Sequence, residues 1–301
     1  MLESAHRRLR AAVVTNRGFE IIRPCLEGLA AQGLSAGAIV GLSGLQPVEA
    51  QQRRAAIESV LPGVTVLTVA RPGANLARAA VLSAADDGDI LAFIDDDAAP
   101  GPAWSKTLHS AWAGAGPDVG AIGGPVRPLF LAPRPRWMSD YLVGGLSIID
   151  FGPDPTELSP ETGFLYLANL SIDVAHTRRI GGFDTSLGPV GGTAGFGDDI
   201  ELQRSMVSAG LRVLYAPEAW VEHRIPAARL KRRPMLDRRY RNGLDYARKS
   251  QTPRARLAVS IGWCILAGLT DAVRGRSSRA MDRFAYAAQC VGEVRRPRRR
   301  D

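Results

Sequence analysis

Ile90-Leu91-Ala92-Phe93-Ile94-Asp95-Asp96-Asp97 is a run of five apolar residues that stops at three consecutive aspartates. An apolar run without polar alternation reads as a strand buried on both faces of a parallel sheet. In such sheets ligands sit beyond the carboxyl ends of the strands, which is where the three aspartates fall. Three adjacent carboxylates repel one another and are poor stabilisers without a counter-ion, and a divalent cation is the usual solution. Oxygen donors favour Mg²⁺ or Mn²⁺, and open coordination positions can take two phosphate oxygens of a nucleotide. A solvated acidic turn is the plainer reading of the triplet taken alone.

On the N-terminal side of this run the pattern repeats. Ala11 to Thr15 read as a strand, Phe19 to Gln32 as a helix stopped by Gly33, Ala38 to Leu42 as a second strand and Gln46 to Val60 as a helix before Pro62-Gly63. Val64 to Val69 then read as a third strand and Asn75 to Ala85 as a helix. Alternating strands and helices predict an α/β fold around a mainly parallel sheet covered on both faces.

On the C-terminal side, Trp104 to Ala115 predict a helix and Val119 to Gly123 a short strand. Arg127 to Glu161 carries six prolines and reads as a long irregular loop, the kind that usually has a function. Phe164 to Ile172 read as strand, Val174 to Ile180 as helix, Gly188 to Gly197 as a glycine-rich loop, Asp199 to Ala209 as a helix stopped by Gly210, and Leu211 to Tyr215 as strand. Asp198-Asp199 stand at a helix start, where the dipole keeps a carboxylate ionised. One of the pair is explained by capping, and the other is available as a general base. His223 ends the strand-like Val221-Glu222-His223; alone it reads as a surface or capping residue, but its imidazole could complete a metal site begun by Asp97 if the segments converge.

The 301 residues, 46% hydrophobic and 23% charged, suffice for one large or two modest domains. Cys25, Cys264 and Cys290 form neither a disulfide framework nor a C-x-x-C metal site, which suits a reducing cytosol. The first residues, MLESAHRRLRAAVV, lack the cleavage site of a secretory signal, and no uninterrupted apolar run reaches transmembrane length. The net charge of +8 is uneven: from Arg224 onward there are 21 lysines and arginines against 6 carboxylates, and before it 17 against 24. The acidic part suits a cation or a catalytic carboxylate, and the basic part suits phosphate-rich surfaces.

With these pieces in place, the chain resembles family 2 glycosyltransferases of the GT-A fold. The resemblance rests on Thr15-Asn16-Arg17, Ala77-Arg78, Phe93-Ile94-Asp95-Asp96-Asp97, Gly181-Gly182-Phe183-Asp184, Asp198-Asp199-Ile200-Glu201-Leu202 and Val221-Glu222-His223-Arg224-Ile225-Pro226, in family order and spacing across roughly residues 10 to 226. It implies a catalytic domain over 8–226 and a helical, basic extension over 227–301. It also implies transfer of a sugar, with inversion, from a nucleotide-diphosphate sugar to a hydroxyl of a glycan, lipid-linked or small-molecule acceptor. Asp199 would be the general base, and Asp95, Asp97 and His223 would hold Mn²⁺ or Mg²⁺. Thr15, Asn16, Arg17, Ser43, Arg78, Asp95 and Asp96 would border the donor. Many relatives carry a carboxylate after the second strand; here Val40-Gly41-Leu42-Ser43-Gly44 has none, so GDP- and dTDP-sugars stay open beside UDP-sugars. Arg71 stands where an asparagine is usual.

Two other classes share features with this sequence. A nucleotidyltransferase shares α/β architecture and metal chemistry, but a glycine-rich phosphate loop with following Arg and Lys is missing near the first strand. A nucleic-acid-binding protein could use the basic tail, but aromatic content is only 6% and no recognition motif is present, so nucleic acid is not the expected partner. The largely apolar Leu257 to Val273, between Arg254, Arg256 and Arg274, Arg276, predicts a helix. It either lies on a membrane surface, at the cytoplasmic face, or packs on the catalytic domain or on a second subunit. Arg295 to Arg300 reads as a disordered tail.

Overall fold

The apolar runs become the strands of one twisted sheet, and the amphipathic runs between them become its covering helices. In chain order the computed structural model contains β1 (Arg8–Thr15), α1 (Phe19–Ala31), β2 (Ile39–Ser43), α2 (Pro47–Val60), β3 (Thr65–Val69), α3 (Ala74–Ser83) and β4 (Asp89–Ile94). Then come β5 (Ala98–Pro100), α4 (Trp104–Ala113), β6 (Val119–Gly123), β7 (Val126–Phe130), α5 (Asp140–Gly144), β8 (Thr156–Leu158) and β9 (Asn169–Asp173). The remainder are α6 (Val174–Arg179), α7 (Asp198–Ser208), β10 (Arg212–Tyr215), β11 (Val221–Ile225), α8 (Arg232–Tyr246), α9 (Arg254–Val273) and α10 (Ser277–Val294). The structure describes residues 7–185, 198–247, 250 and 252–295; the expected loop Gly188 to Gly197 and all but the first residue of the expected tail Arg295 to Arg300 lie outside them.

The described residues fall into two units, one drawn from residues 7–128, 149–185 and 198–224, the other from residues 129–148 and 225–295. In the first, eight strands run in the order β3-β2-β1-β4-β9-β6-β10-β8. β3, β2, β1 and β4 are mutually parallel, as are β6 and β10, so the sheet is mainly parallel. β9 runs antiparallel to both β4 and β6, and β8 antiparallel to β10. A second sheet has the order β5-β11-β7. β1, β2 and β4 therefore end at one edge, and their last residues, Thr15, Ser43 and Ile94, deliver the loops that follow to that edge.

Two expectations are corrected. The irregular stretch Arg127 to Glu161 contains β7, α5 and β8. Pro128 signals a break, yet β7 is an edge strand, where a missing N–H costs no ladder hydrogen bond. The strand predicted from Phe164 starts only at Asn169. Leu165 is buried, but its N–H and C=O bond to the side-chain amide of Gln203, at 2.9 and 2.8 Å, and not to a strand.

Beneath the sheet edge lies a polar knot. Asn169, 1% exposed, accepts from Trp104 Nε1 at 2.8 Å and donates to the carbonyls of Pro125 and Ala219 at 2.9 and 2.6 Å. Replacing it with Leu strands a buried donor and two buried acceptors at about 1–3 kcal/mol each. We expect Asn169→Leu to lower the unfolding free energy in urea by about 3 kcal/mol or more; a loss below about 1 kcal/mol would show that the knot does not matter.

In the second unit α5 is capped by Ser139, whose Oγ accepts from Leu142 N. Its core joins Leu142, Val143 and Leu146 to Met235 of α8 and Met281 and Ala285 of α10. A Cβ on Gly243 of α8 would strike the Gln289 carbonyl of α10, and one on Gly292 of α10 the Tyr240 carbonyl of α8, so glycine is required where these backbones touch. α9 packs along α10 through Leu257, Cys264, Gly268 and Asp271. At 20 residues and a mean hydropathy of 1.4 it is long and apolar enough to cross a membrane, longer than the 17-residue run evident in the sequence.

Candidate active site

The β1–β4 register pairs Ala12 with Phe93, and carried three residues further it sets Thr15 beside Asp96. The Thr15 hydroxyl donates to Asp96 Oδ2 at 2.5 Å and accepts from the Arg17 N–H at 3.0 Å. The chain thus turns back over the aspartates, and the Arg17 guanidinium reaches Asp97 Oδ2 at 2.7 Å and Asp96 Oδ1 at 3.5 Å. On the far side, antiparallel pairing of β11 with β5 sets His223 opposite Ala98, and the Arg224 N–H donates to the Asp97 carbonyl at 2.8 Å. The His223 Nε2 then lies 3.1 Å from Asp97 Oδ1, with both residues buried. Asp95, Asp97 and His223 each present one ligand atom, all within 4.8 Å of one another. Asp95 and Asp97 on one side and His223 on the other, remote in sequence, meet here.

Burial is the largest influence on the Asp96 carboxyl; with the nearby Asp97 and Asp95 it lifts the group to about 6 against the opposing pull of Arg17 and Thr15. Burial and the Asp97 charge also raise Asp95 above the usual carboxylate range, while His223, Arg78 and Arg17 pull it down. The buried Cys25 thiol is pushed well up, first by burial and then by the three aspartates, so it is held neutral.

The other expected site residues have distinct positions. Ser43 is buried at the end of β2 and spends its hydroxyl on Gly73, donating to the carbonyl at 3.1 Å and accepting from the N–H at 3.0 Å. It therefore fixes the loop into α3. Asn16 is exposed beside Arg17. Arg78 on α3 donates to Asn75 Oδ1 at 2.9 Å and acts electrostatically on Asp95. Asp199 stands in the first turn of α7, outside the Asp95–Asp97–His223 cluster, and its Oδ1 accepts from the Ile200 N–H at 3.0 Å. The side chain of Asp198 lies outside the described residues.

Sequence reasoning missed two residues. Asn75, 1% exposed, receives Arg78 and donates to the Asp184 carbonyl at 2.9 Å. Arg71, read as the replacement for an asparagine, is exposed, and Asn75 is the buried asparagine of this region. Gln203, fully buried, clamps Leu165 and donates to the Asp199 carbonyl at 2.9 Å. Its signal was a polar residue between Leu202 and Met206 on the apolar face of α7. The Gly181-Gly182-Phe183-Asp184 turn also finds its use: both glycines have positive φ, of 99° and 70°, and Phe183 lies edge-on to Phe93 just before the aspartates.

A mainly parallel sheet interrupted by one antiparallel strand, with an Asp-x-Asp at its carboxyl edge, is the GT-A fold, and solved structures bear this out. The chain superposes with a TM-score of 0.61, at 18% identity, on the mannosyltransferase PcManGT from Pyrobaculum calidifontis, solved with GDP-Man and Mn²⁺, covering 96% of this chain and 87% of that one. GalNAc-T7, solved with UDP, GalNAc and Mn²⁺, gives a TM-score of 0.53 at 13% identity over 74% of this chain and 45% of that one. In sequence the chain is 32% identical over 202 residues to the succinoglycan biosynthesis protein ExoM of Rhizobium meliloti (strain 1021), covering 65% of this chain and 60% of that protein. It is 31% identical over 141 residues to the glucosyl-dolichyl phosphate glucuronosyltransferase of Haloferax volcanii, covering 46% and 44%. No family model matches the chain. The resemblance to family 2 glycosyltransferases thus has two sequence relatives behind it, and the chain spans three-fifths or less of their lengths.

Proposed function

We propose that this chain is a metal-dependent, inverting glycosyltransferase, with residues 8–226 as the catalytic domain and 227–301 as a basic extension. It moves a sugar from a nucleotide-diphosphate sugar to an acceptor hydroxyl. The observation that carries the reading is the convergence of Asp95, Asp97 and His223 at the sheet edge. Two carboxylates and an imidazole suit Mn²⁺ or Mg²⁺, and the donor set therefore fits the cation that the solved neighbours hold. Such a cation, when bound, supplies Lewis-acid compensation for a diphosphate leaving group.

The chain's own groups do the rest. Arg17 and Arg78 add guanidinium donors beside the aspartates, matched to phosphate oxygens. Thr15 and Asp96 hold the Arg17 loop in place, and Ser43 holds the loop into α3. Asp199, in the first turn of α7, accepts the acceptor hydroxyl's proton as that oxygen attacks the anomeric carbon from the face opposite the diphosphate. One displacement of this kind inverts the anomeric configuration.

A UDP-sugar is the first donor to test, as one solved neighbour holds UDP, with GDP- and dTDP-sugars beside it. The relatives' names, one a succinoglycan biosynthesis protein and one a glucosyl-dolichyl phosphate glucuronosyltransferase, support a glycan or lipid-linked acceptor. Incubation with each donor, Mn²⁺ and a lipid-linked glycan should release the nucleoside diphosphate and give a product of inverted anomeric configuration by NMR. Release of pyrophosphate would instead place the chain among the nucleotidyltransferases, and a product of retained configuration would remove Asp199 from the base role.

A further inference from the structure

The second unit carries a surface that sugar transfer does not require. α9 buries one stripe, Leu257, Cys264, Gly268 and Asp271, flanked by the half-buried Ser260, Ile261 and Ala267, and leaves the opposite face open. That open face holds Val259, Trp263, Leu266, Leu269 and Val273, exposed by 71, 60, 68, 55 and 90%. A contiguous apolar face of this kind marks an interaction site. Beside it is a cavity of about 340 Å³ whose apolar wall is Trp263, Leu266 and Ala267 and whose polar wall is Arg274, Arg276, Arg279 and Arg283 around Asp271. Asp271 accepts from Arg283 at 2.7 Å and pairs with Arg276 at 3.7 Å. Arg274 and Arg279 have no carboxylate partner among the described residues, so the cavity keeps a net positive charge.

We propose that the open face of α9 lies in the plane of an anionic lipid bilayer, with the arginine-lined cavity receiving a lipid phosphate. Apolar side chains enter the headgroup boundary and arginines meet the phosphates, which is the pattern of an interfacial helix. Trp263 favours that depth, and Arg283 stacks on its ring at 4.7 Å. The helix does not span the bilayer, because its buried stripe is held against α10 and spanning would carry Arg279, Asp282 and Arg283 of α10 into hydrocarbon. A second copy is the poorer occupant. A two-fold interface sets a patch against itself, and here it would bring together two surfaces that each carry four arginines against one carboxylate.

Co-sedimentation of the full chain with vesicles tests this without donor or acceptor, so its failure leaves the transferase reading intact. Vesicles of phosphatidylcholine with phosphatidylglycerol should bind the chain, more weakly at high salt, with a blue shift of tryptophan emission. Phosphatidylcholine alone should bind it less. Arg274→Glu with Arg279→Glu should lower partition to the anionic vesicles by about tenfold or more, since each arginine near the surface contributes roughly fivefold. Trp263→Glu with Leu266→Glu should lower partition to both vesicle types. All four side chains are at the surface, and unchanged far-ultraviolet circular dichroism and Tm will show that the variants are folded. Three results would each overturn the proposal: no binding to anionic vesicles, saturable binding of inorganic phosphate without vesicle binding, or a concentration-dependent dimer abolished by Trp263→Glu with Leu266→Glu while vesicles are ignored.

Discussion

Asp199→Asn is expected to lower sugar transfer by about a thousandfold, within the range that a positioned general base contributes. The amide cannot take the proton of the acceptor hydroxyl, and the change is nearly isosteric. Its Oδ1 can still accept from the Ile200 N–H as the carboxylate does at 3.0 Å, and the Gln203 bond to the backbone carbonyl is untouched. The α7 N-terminus should therefore keep its shape. Asp199 stands outside the Asp95–Asp97–His223 cluster, so donor affinity should change by less than about threefold while kcat collapses. Steady-state kinetics on the variant, with donor binding measured separately, checks both halves. Transfer within about tenfold of the parent would remove Asp199 from the base role, and an equal loss of donor binding would make it a structural cap.

The second large effect is expected at Asp97. Its Oδ2 takes Arg17 at 2.7 Å, its Oδ1 lies 3.1 Å from His223, and it supplies one of the three ligand atoms of the candidate metal site. Asp97→Ala removes that ligand and leaves a guanidinium and an imidazole without their shared carboxylate. Turnover should fall by about a thousandfold or more, because both cation binding and the Arg17 loop depend on this residue. Asp97→Asn separates the two causes. The amide keeps an acceptor for Arg17 but is a much weaker metal ligand, so its activity should recover in part as Mn²⁺ is raised, whereas Asp97→Ala should not recover. Equal activity of both variants and the parent at all Mn²⁺ concentrations would show that Asp97 is not a ligand.

The parts of this molecule legible in the sequence were those whose signal is local. Ile90 to Ile94 read as a buried strand because no polar residue interrupts them, and Ala11 to Val14 and Ala38 to Leu42 followed for the same reason. The direction of β9 was not legible. Pairing direction is decided by which neighbours an apolar strand meets, and Asn169 to Asp173 carry no mark of it. β7 was hidden because Pro128 suggests a break, and only its position at a sheet edge makes the proline harmless. In the site, residue types in family order pointed to Asp95, Asp97 and His223, which the fold brings together, and to Asp199, which stands outside that cluster. The pairing of Arg17 with Asp96 and Asp97 depends on a tertiary turn over the aspartates that spacing does not encode. The C-terminal run Leu257 to Val273 was readable as apolar, whereas its single buried stripe and its arginine-lined cavity appeared only once α9 lay against α10.

As proposed above, the aspartate edge is a cation-dependent site for a nucleoside diphosphate. Calorimetric titration of the protein with UDP, GDP and dTDP, each with and without Mn²⁺ and repeated on Asp97→Ala, tests it most directly. One of the three should bind the parent protein only when Mn²⁺ is present and should not bind Asp97→Ala under either condition. Failure of all three to bind with Mn²⁺, or binding indifferent both to Mn²⁺ and to the loss of Asp97, would contradict that proposal.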